Sequence, residues 1–204
     1  RETGRGLRDG MMKHWGGRFE KETEETVMAF SASLSFDRRL APYDLQVSEV
    51  HAMTLEECGV LTAEERDRIV AALVDMEEEM EKGTFPFSQD EDIHTAVERV
   101  LVERLGELGA KLRAGRSRND QVATAVRMWL REELDAATAE ISALIEIAAA
   151  LAGKHADTLM PGYTHLRHAQ PVTLGHHMLA YAAMFERDRN RLAACRKSTN
   201  VLPL

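Results

Sequence analysis

Two short segments of this chain hold donors and acid–base groups dense enough to do chemistry. The first, Gly115-Arg116-Ser117-Arg118-Asn119-Asp120, runs straight into apolar residues at helical spacing and therefore stands at a helix N-terminus. Free backbone N–H groups and the positive end of the helix dipole suit that place to an anion. Ser, Arg and Asn side chains add donors that match a carboxylate. The same residues also fit a plainer role, in which Ser117 or Asn119 caps the helix and the arginines face water. The second segment, Thr164-His165-Leu166-Arg167-His168, sets an imidazole that titrates near neutral pH beside a hydroxyl that can hold a substrate. A histidine tied to a backbone carbonyl is the alternative there. His165 and His168 have no third ligand near them in sequence, so no metal is expected.

Other groups carry less. Glu91-Asp92-Ile93-His94 reads as helix-start carboxylates complementing the dipole. His176-His177 falls inside a helix and reads as structural. Cys58 and Cys195 are isolated, with no CxxC and no Cys/His ligand spacing, which fits buried or incidental thiols in a reducing cytosol.

The elements that must position these groups are helices. Hydrophobic residues make up 44% of the 204, aromatics 5%, and only five prolines occur among plentiful Ala, Leu, Glu and Arg. A net charge of −8 disfavours non-specific binding to nucleic acid or to an anionic membrane face. No apolar run approaches the roughly 20 residues of a membrane span. The opening RETGRGLRDG has charge but no apolar core and is not expected to be a secretory leader. Met11 or Met12 is the expected start, with residues 1–12 an extension lacking function.

Residues 13–43 read as an irregular, partly extended arm. Helices are expected near 43–58 and 63–82, the second opened by a Thr62/Glu65 capping box and closed by Gly83. A loop over 84–88 leads to a helix near 90–105. Val122, Val126, Leu130, Leu134, Ala137, Ile141, Leu144, Ala148 and Leu151 then recur in steps of three or four, and no Pro or Gly interrupts 120–152. At 1.5 Å per residue that is on the order of 50 Å of helix, which demands an elongated bundle shared between subunits. Residues 160–171 read as a polar loop, after which Thr173 caps a helix running to about Lys197. The expected division is an N-terminal helical domain over 13–118 and the start of a long-helix bundle over 119–204.

In order along the chain, Trp15-Gly16-Gly17-Arg18-Phe19, Asp90-Glu91-Asp92-Ile93-His94, Gly115-Arg116-Ser117-Arg118-Asn119-Asp120-Gln121-Val122, Pro161-Gly162-Tyr163-Thr164-His165 with Ala169-Gln170-Pro171, and Asn200-Val201-Leu202-Pro203-Leu204 resemble argininosuccinate lyase of the fumarase/aspartase superfamily. The resemblance covers about residues 13–204. It implies an all-α, fumarase/aspartase-like fold and β-elimination of argininosuccinate to arginine and fumarate through an aci-carboxylate dianion. It implies His165 as the acid/base group and Ser33, Asn119 and Thr164 as substrate-binding residues. Ser117 and Arg118 would lie on the carboxylates, and Asp92 and His94 near the pocket. It also implies a cytoplasmic homotetramer needing no cofactor, metal, nucleic acid or membrane. The family's glycine–serine loop, which carries the serine usually assigned to proton abstraction, is expected beyond Leu204, so this chain by itself is expected to be inert. Two alternatives stay open: a catalytically silent, crystallin-like structural protein on the same scaffold, and a superfamily lyase acting on another fumaryl compound.

Overall fold

A proline early in one helix and a reciprocal side-chain cap on the next set the frame of the first half of the molecule. The computed structural model describes residues 24–88 and 90–203; the expected extension at 1–12 and the Trp15–Phe19 motif lie outside them. Where an irregular, partly extended arm with a short amphipathic stretch is expected over 13–43, the described part is instead mostly helical. Helix α1 (Glu25–Ser31), α2 (Leu34–Asp37) and a 3-10 turn (Arg38–Leu40) lead directly into α3 (Ala41–Glu57). The leucines of this stretch, Leu34 and Leu40, are buried, so packing decides the local conformation where no periodicity announces it. Pro42 sits in the first turn of α3, where its missing N–H has no helical partner to lose.

Helix α4 (Ala63–Lys82) opens with the expected capping box: Glu65 N–H donates to Thr62 Oγ1 at 3.2 Å, and Thr62 N–H donates to Glu65 Oε2 at 3.0 Å. Gly83 closes it in the left-handed conformation, at φ 71°. Helix α5 (Ile93–Leu105) and the short α6 (Glu107–Lys111), which no sequence signal marks, complete the cluster. Leu45 and Ala52 of α3, Ile69, Leu73 and Met76 of α4, and Ile93, Val100 and Leu101 of α5 form its core. Burying each large side chain contributes roughly 1.5–3 kcal/mol.

Two compact units are distinguished, one ending at Val126 and the other spanning Arg127–Pro203, with the division inside helix α7 (Arg118–Lys154). The second unit departs from expectation where a polar loop is predicted over 160–171. Those residues instead form an antiparallel hairpin of β1 (Leu159–Thr164) and β2 (Arg167–Thr173). Thr173 then caps α8 (Leu174–Thr199), accepting from His176 N–H at 3.1 Å. Leu174 N–H donates to Thr158 O at 2.8 Å and Gly175 N–H to His155 O at 2.9 Å, so the hairpin closes where α7 ends and α8 begins. Arg196 on α8 donates to Asp135 on α7 at 2.5 Å, which fixes the two helices as antiparallel.

The core of this unit is thin. Leu134, Ala148, Ala152 and Ala182 are buried, whereas Leu144, Ile147, Leu151, Leu179, Tyr181 and Met184 are exposed. By length and composition α7 is apolar enough to cross a membrane, contrary to the expectation that no run comes close. A helix that presents an apolar stripe to a helical neighbour meets the same test. Cys58 and Cys195 are both free and exposed, not buried.

Candidate active site

Within the first unit, the start of α5 and the start of α7 gather most of the residues that the sequence singles out. Ser117 stands just ahead of α7, and its Oγ accepts from Asn119 N–H at 3.3 Å, while its own N–H donates to Asp120 Oδ1 at 2.9 Å. This reciprocal pair caps the helix, so the plainer reading of Ser117 holds alongside any role in binding. Asn119 is exposed in the first turn.

Arg118 is turned toward α5. Its Nη2 donates to Glu98 Oε2 at 3.3 Å and Thr95 Oγ1 at 3.4 Å, and its Nη1 is 3.6 Å from Asp92 Oδ1. Asp92 is also the cap of α5, accepting from Thr95 N–H at 2.6 Å. The two segments are thus fastened to each other through one guanidinium.

Ser33 reaches the same place from the other side. Its N–H donates to Glu91 O at 2.8 Å and its hydroxyl donates to Asp37 Oδ2 at 2.5 Å. The buried Asp37 in turn accepts from Ile93 N–H at 3.2 Å through Oδ1. Ser33, Asp92 and Arg118, far apart in sequence, therefore surround the N-terminal turn of α5.

His94, expected near a pocket, is 2% exposed and faces inward. Its Nδ1 is 2.9 Å from Oδ1 of the fully buried Asp44, at an angle that is not that of a hydrogen bond. The same Asp44 oxygen accepts from Gln121 Nε2 at 2.6 Å. Burial works against the charged carboxylate of Asp44. His94, Gln121 and the nearby Arg116 outweigh it and hold the carboxyl below the usual carboxylate range. Burial likewise pushes the Arg116 guanidinium below its ordinary value.

Thr164 and His165 belong to the second unit, at the tip of the hairpin. Thr164 pairs with Arg167, leaving His165-Leu166 as a two-residue turn with φ of 50° and 64°. Both central residues at positive φ is the pattern of a type I′ hairpin turn, which matches the twist of the flanking strands. Neither residue is Gly or Asn, so the conformation costs roughly 1–2 kcal/mol per residue. The turn holds the His165 imidazole out from the strands, exposed to solvent. Below it, Tyr163 and His168 are joined by a 2.8 Å hydrogen bond between Oη and Nε2.

Three residues at these places escape a reading of the sequence: Asp37, Asp44 and Gln121. Asp37 lies one helical turn after Ser33, a spacing that could have been noticed. Asp44 and Gln121 meet across 77 positions, and nothing local announces the pairing. Among the described residues no cluster of His, Cys, Asp and Glu could hold a metal.

Comparison with known proteins places the chain in a family. The profile of the family described as Lyase matches residues 17–204. The chain is 52% identical over 195 residues to the argininosuccinate lyase of Desulforudis audaxviator, covering 95% of this chain and 42% of that protein. It is 51% identical over 191 residues to the argininosuccinate lyase of Chromohalobacter salexigens, covering 93% and 41%. Among solved structures, EDDS lyase in complex with formate superposes with a TM-score of 0.74 at 29% identity, covering 87% of this chain and 34% of that one. The 3-carboxy-cis,cis-muconate lactonizing enzyme of Pseudomonas putida, at 24% identity and a TM-score of 0.66 over 88% and 43%, shares the fold. The chain spans about two-fifths of the length of the curated relatives it matches. On the match to residues 17–204, this chain belongs to the Lyase family, with its likeness running to the amino-terminal portion of argininosuccinate lyases.

Proposed function

We propose that the complete protein is an argininosuccinate lyase, which eliminates fumarate from argininosuccinate and releases arginine. The observation that carries this reading is 52% identity to an argininosuccinate lyase across 95% of the chain. A solved EDDS lyase variant with bound fumarate, at 29% identity, gives a lesser claim to a different fumarate-releasing reaction.

In this reading the difficult step is formation of a carbanion beside a carboxylate. Charge then develops on carboxylate oxygens, and donors preorganised around it supply much of the catalysis. Asn119, Ser117 and the free N–H groups of the first turn of α7 are suited to that charge. Thr164 adds a hydroxyl donor to the substrate, and Ser33, whose hydroxyl proton goes to Asp37, offers it the lone pairs of the same oxygen. Arg118, Asp92 and His94 take part through the order they impose on these segments as much as by contact. His165, exposed on its turn, serves as the acid/base group. A homotetramer in the cytoplasm, with no cofactor, nucleic acid or membrane partner, completes the reading.

Fumarate release from argininosuccinate by the complete protein, followed by absorbance, tests it. His165→Asn is expected to lower turnover by about 10²–10⁴-fold. An absence of fumarate with the unaltered protein defeats the lyase assignment, and full activity in His165→Asn removes the role given to that histidine. The 204-residue chain alone is expected to show no turnover, since it supplies about two-fifths of the relatives' length.

A further inference from the structure

Asp44 is buried on α3, outside every segment that the sequence marks for chemistry. Its Oδ1 nonetheless meets both of them: Gln121, in the first turns of α7 just after Asn119 and Asp120, and His94, the second residue of α5, just after Asp92. One turn along α3, Ser48 accepts from Arg116 Nη1 at 3.3 Å. A single face of α3 thereby holds the starts of two helices that carry Asp92, Ser117, Arg118 and Asn119.

Stability alone gives a poor account of this cluster. A buried ionic group can often be replaced by apolar residues of similar size without loss, because desolvation costs about as much as the attraction returns. Moreover, Asp44 Oδ2 and both His94 ring nitrogens are buried without hydrogen-bond partners among the described residues. What a short, directional bond to one oxygen does supply is rotational register. Successive residues of an α-helix are about 100° apart around its axis, so even a slight rolling of α7 would re-aim Asn119. Gln121 pulled onto Asp44 stops that rolling.

We propose that Asp44 is a positioning residue, acting through Gln121 and His94 to set the rotation of α7's first turns and the start of α5, and so the aim of the donors meant for the substrate carboxylates. The substrate in this proposal rests on the lyase reading above, whereas the helix register does not.

The experiment compares Asp44→Asn, Gln121→Leu, Gln121→Glu and the Asp44→Asn/Gln121→Glu double variant in the complete protein. Three quantities are read: kcat and KM for argininosuccinate, the melting temperature, and amide hydrogen exchange over residues 120–124. Asp44→Asn leaves an amide oxygen that can still accept from Gln121 and is expected to raise KM about threefold, whereas Gln121→Leu, which removes the bond, is expected to raise KM by about tenfold and to speed exchange in the first turns of α7 by a similar factor. Gln121→Glu, which sets two carboxylates face to face, is expected to do more harm. In the double variant the two groups exchange roles, an amide at position 44 donating to a carboxylate at position 121, and KM should return to within about threefold of the unaltered value. A merely structural Asp44 would lower the melting temperature and leave KM within about twofold, with the double variant no better than its worse parent; that result overturns the proposal. Should Asp44→Asn not fold, Gln121→Leu carries the same readings. If the unaltered protein releases no fumarate, the lyase reading fails by itself. Exchange over 120–124 then decides the register claim, and unchanged rates in Gln121→Leu overturn it.

Discussion

His51 on α3 donates from Nε2 to the backbone carbonyl of Ala114, 3.0 Å away, and so pins the turn that leads into α7. Burial pushes this imidazole below the ordinary range, and Arg116 acts in the same direction; the Ala114 and Leu112 carbonyls and the Asp120 carboxylate oppose the shift without cancelling it. The unfolded chain therefore takes up the proton at a higher pH than the folded one. Neutral His51 contributes its full stability above about pH 6.5, the ordinary imidazole value, and loses it as pH falls through the lower folded value. The melting temperature is expected to drop between about pH 7.5 and 5.5, and to drop less in His51→Leu. Equal drops in the two proteins would exclude His51 as the source.

Asp90 and Arg99 form a two-pronged ion pair, with Nε to Oδ1 at 2.8 Å and Nη2 to Oδ2 at 2.9 Å. Arg99 Nη2 also reaches Pro86 O at 2.7 Å, so the pair ties down the loop before α5. Burial works against the Asp90 carboxylate, yet Arg99 and the Ser88 N–H hold it below the usual range. Asp90→Ala should cost roughly 1–2 kcal/mol in denaturant unfolding, because it leaves Nε of a partly buried guanidinium without its partner while Glu103 still holds Nη1 at 3.0 Å. The effect should begin to shrink as pH falls below about 4, where the carboxyl of the unfolded chain takes up its proton, and be lost as pH falls through the lower folded value. A cost under about 0.5 kcal/mol at neutral pH would show that the pair is only a surface contact.

Two glycines in the second unit are expected to respond to alanine with opposite signs. A Cβ on Gly175 would stand 2.5 Å from Ala152 O and 2.9 Å from His155 O, both backbone atoms that cannot swing away. Gly175→Ala should therefore destabilise by about 2 kcal/mol or more. Gly153, in the last turn of α7, has nothing within 4 Å of a built Cβ, and Gly153→Ala should stabilise by about 0.5–1 kcal/mol. Melting curves that move in the same direction for both would contradict the close approach of α8 to the end of α7.

Leu166 is 98% exposed at φ 64°, with no packing to recommend a leucine there. Leu166→Gly removes a backbone cost of about 1–2 kcal/mol while adding unfolded-chain entropy of about 0.4–1 kcal/mol. A net gain near 0.8 kcal/mol, about the difference of the midpoints of those two terms, is expected in the stability of the hairpin, read by hydrogen exchange in β1 and β2. Faster exchange in Leu166→Gly would mean that the turn is not under strain.

How much of this architecture is legible in the sequence depends on how local each signal is. The Thr62/Glu65 box, Gly83, and the apolar steps from Val122 to Leu151 each act within a turn or two of helix, and α4, α7 and α8 lie within a few residues of their expected limits. The hairpin is hidden because its turn is His165-Leu166 and not Asn-Gly, while Pro161 and Pro171 argue against strands in sequence yet face each other across the ladder. Arg118 is legible as a cation beside a helix start, but its engagement with Asp92 and Glu98 depends on how α5 packs. Asp44 is invisible as a member of the site, for an aspartate on a helix face looks solvent-bound until the partners that bury it are known.

The 77 positions between Asp44 and Gln121 also put a clock on the nascent chain. At about 5–20 residues added per second, α3 leaves the peptidyl-transferase centre roughly 4–15 s before its hydrogen-bond donor is made. During that interval α5 is still inside the exit tunnel, so α3 and α4 alone can come together, and the Asp44 carboxylate must stay hydrated. Ribosome-bound chains ending before α7 would then hold the first helices loosely, and the emergence of Gln121 from the tunnel would be the event that dries and locks them.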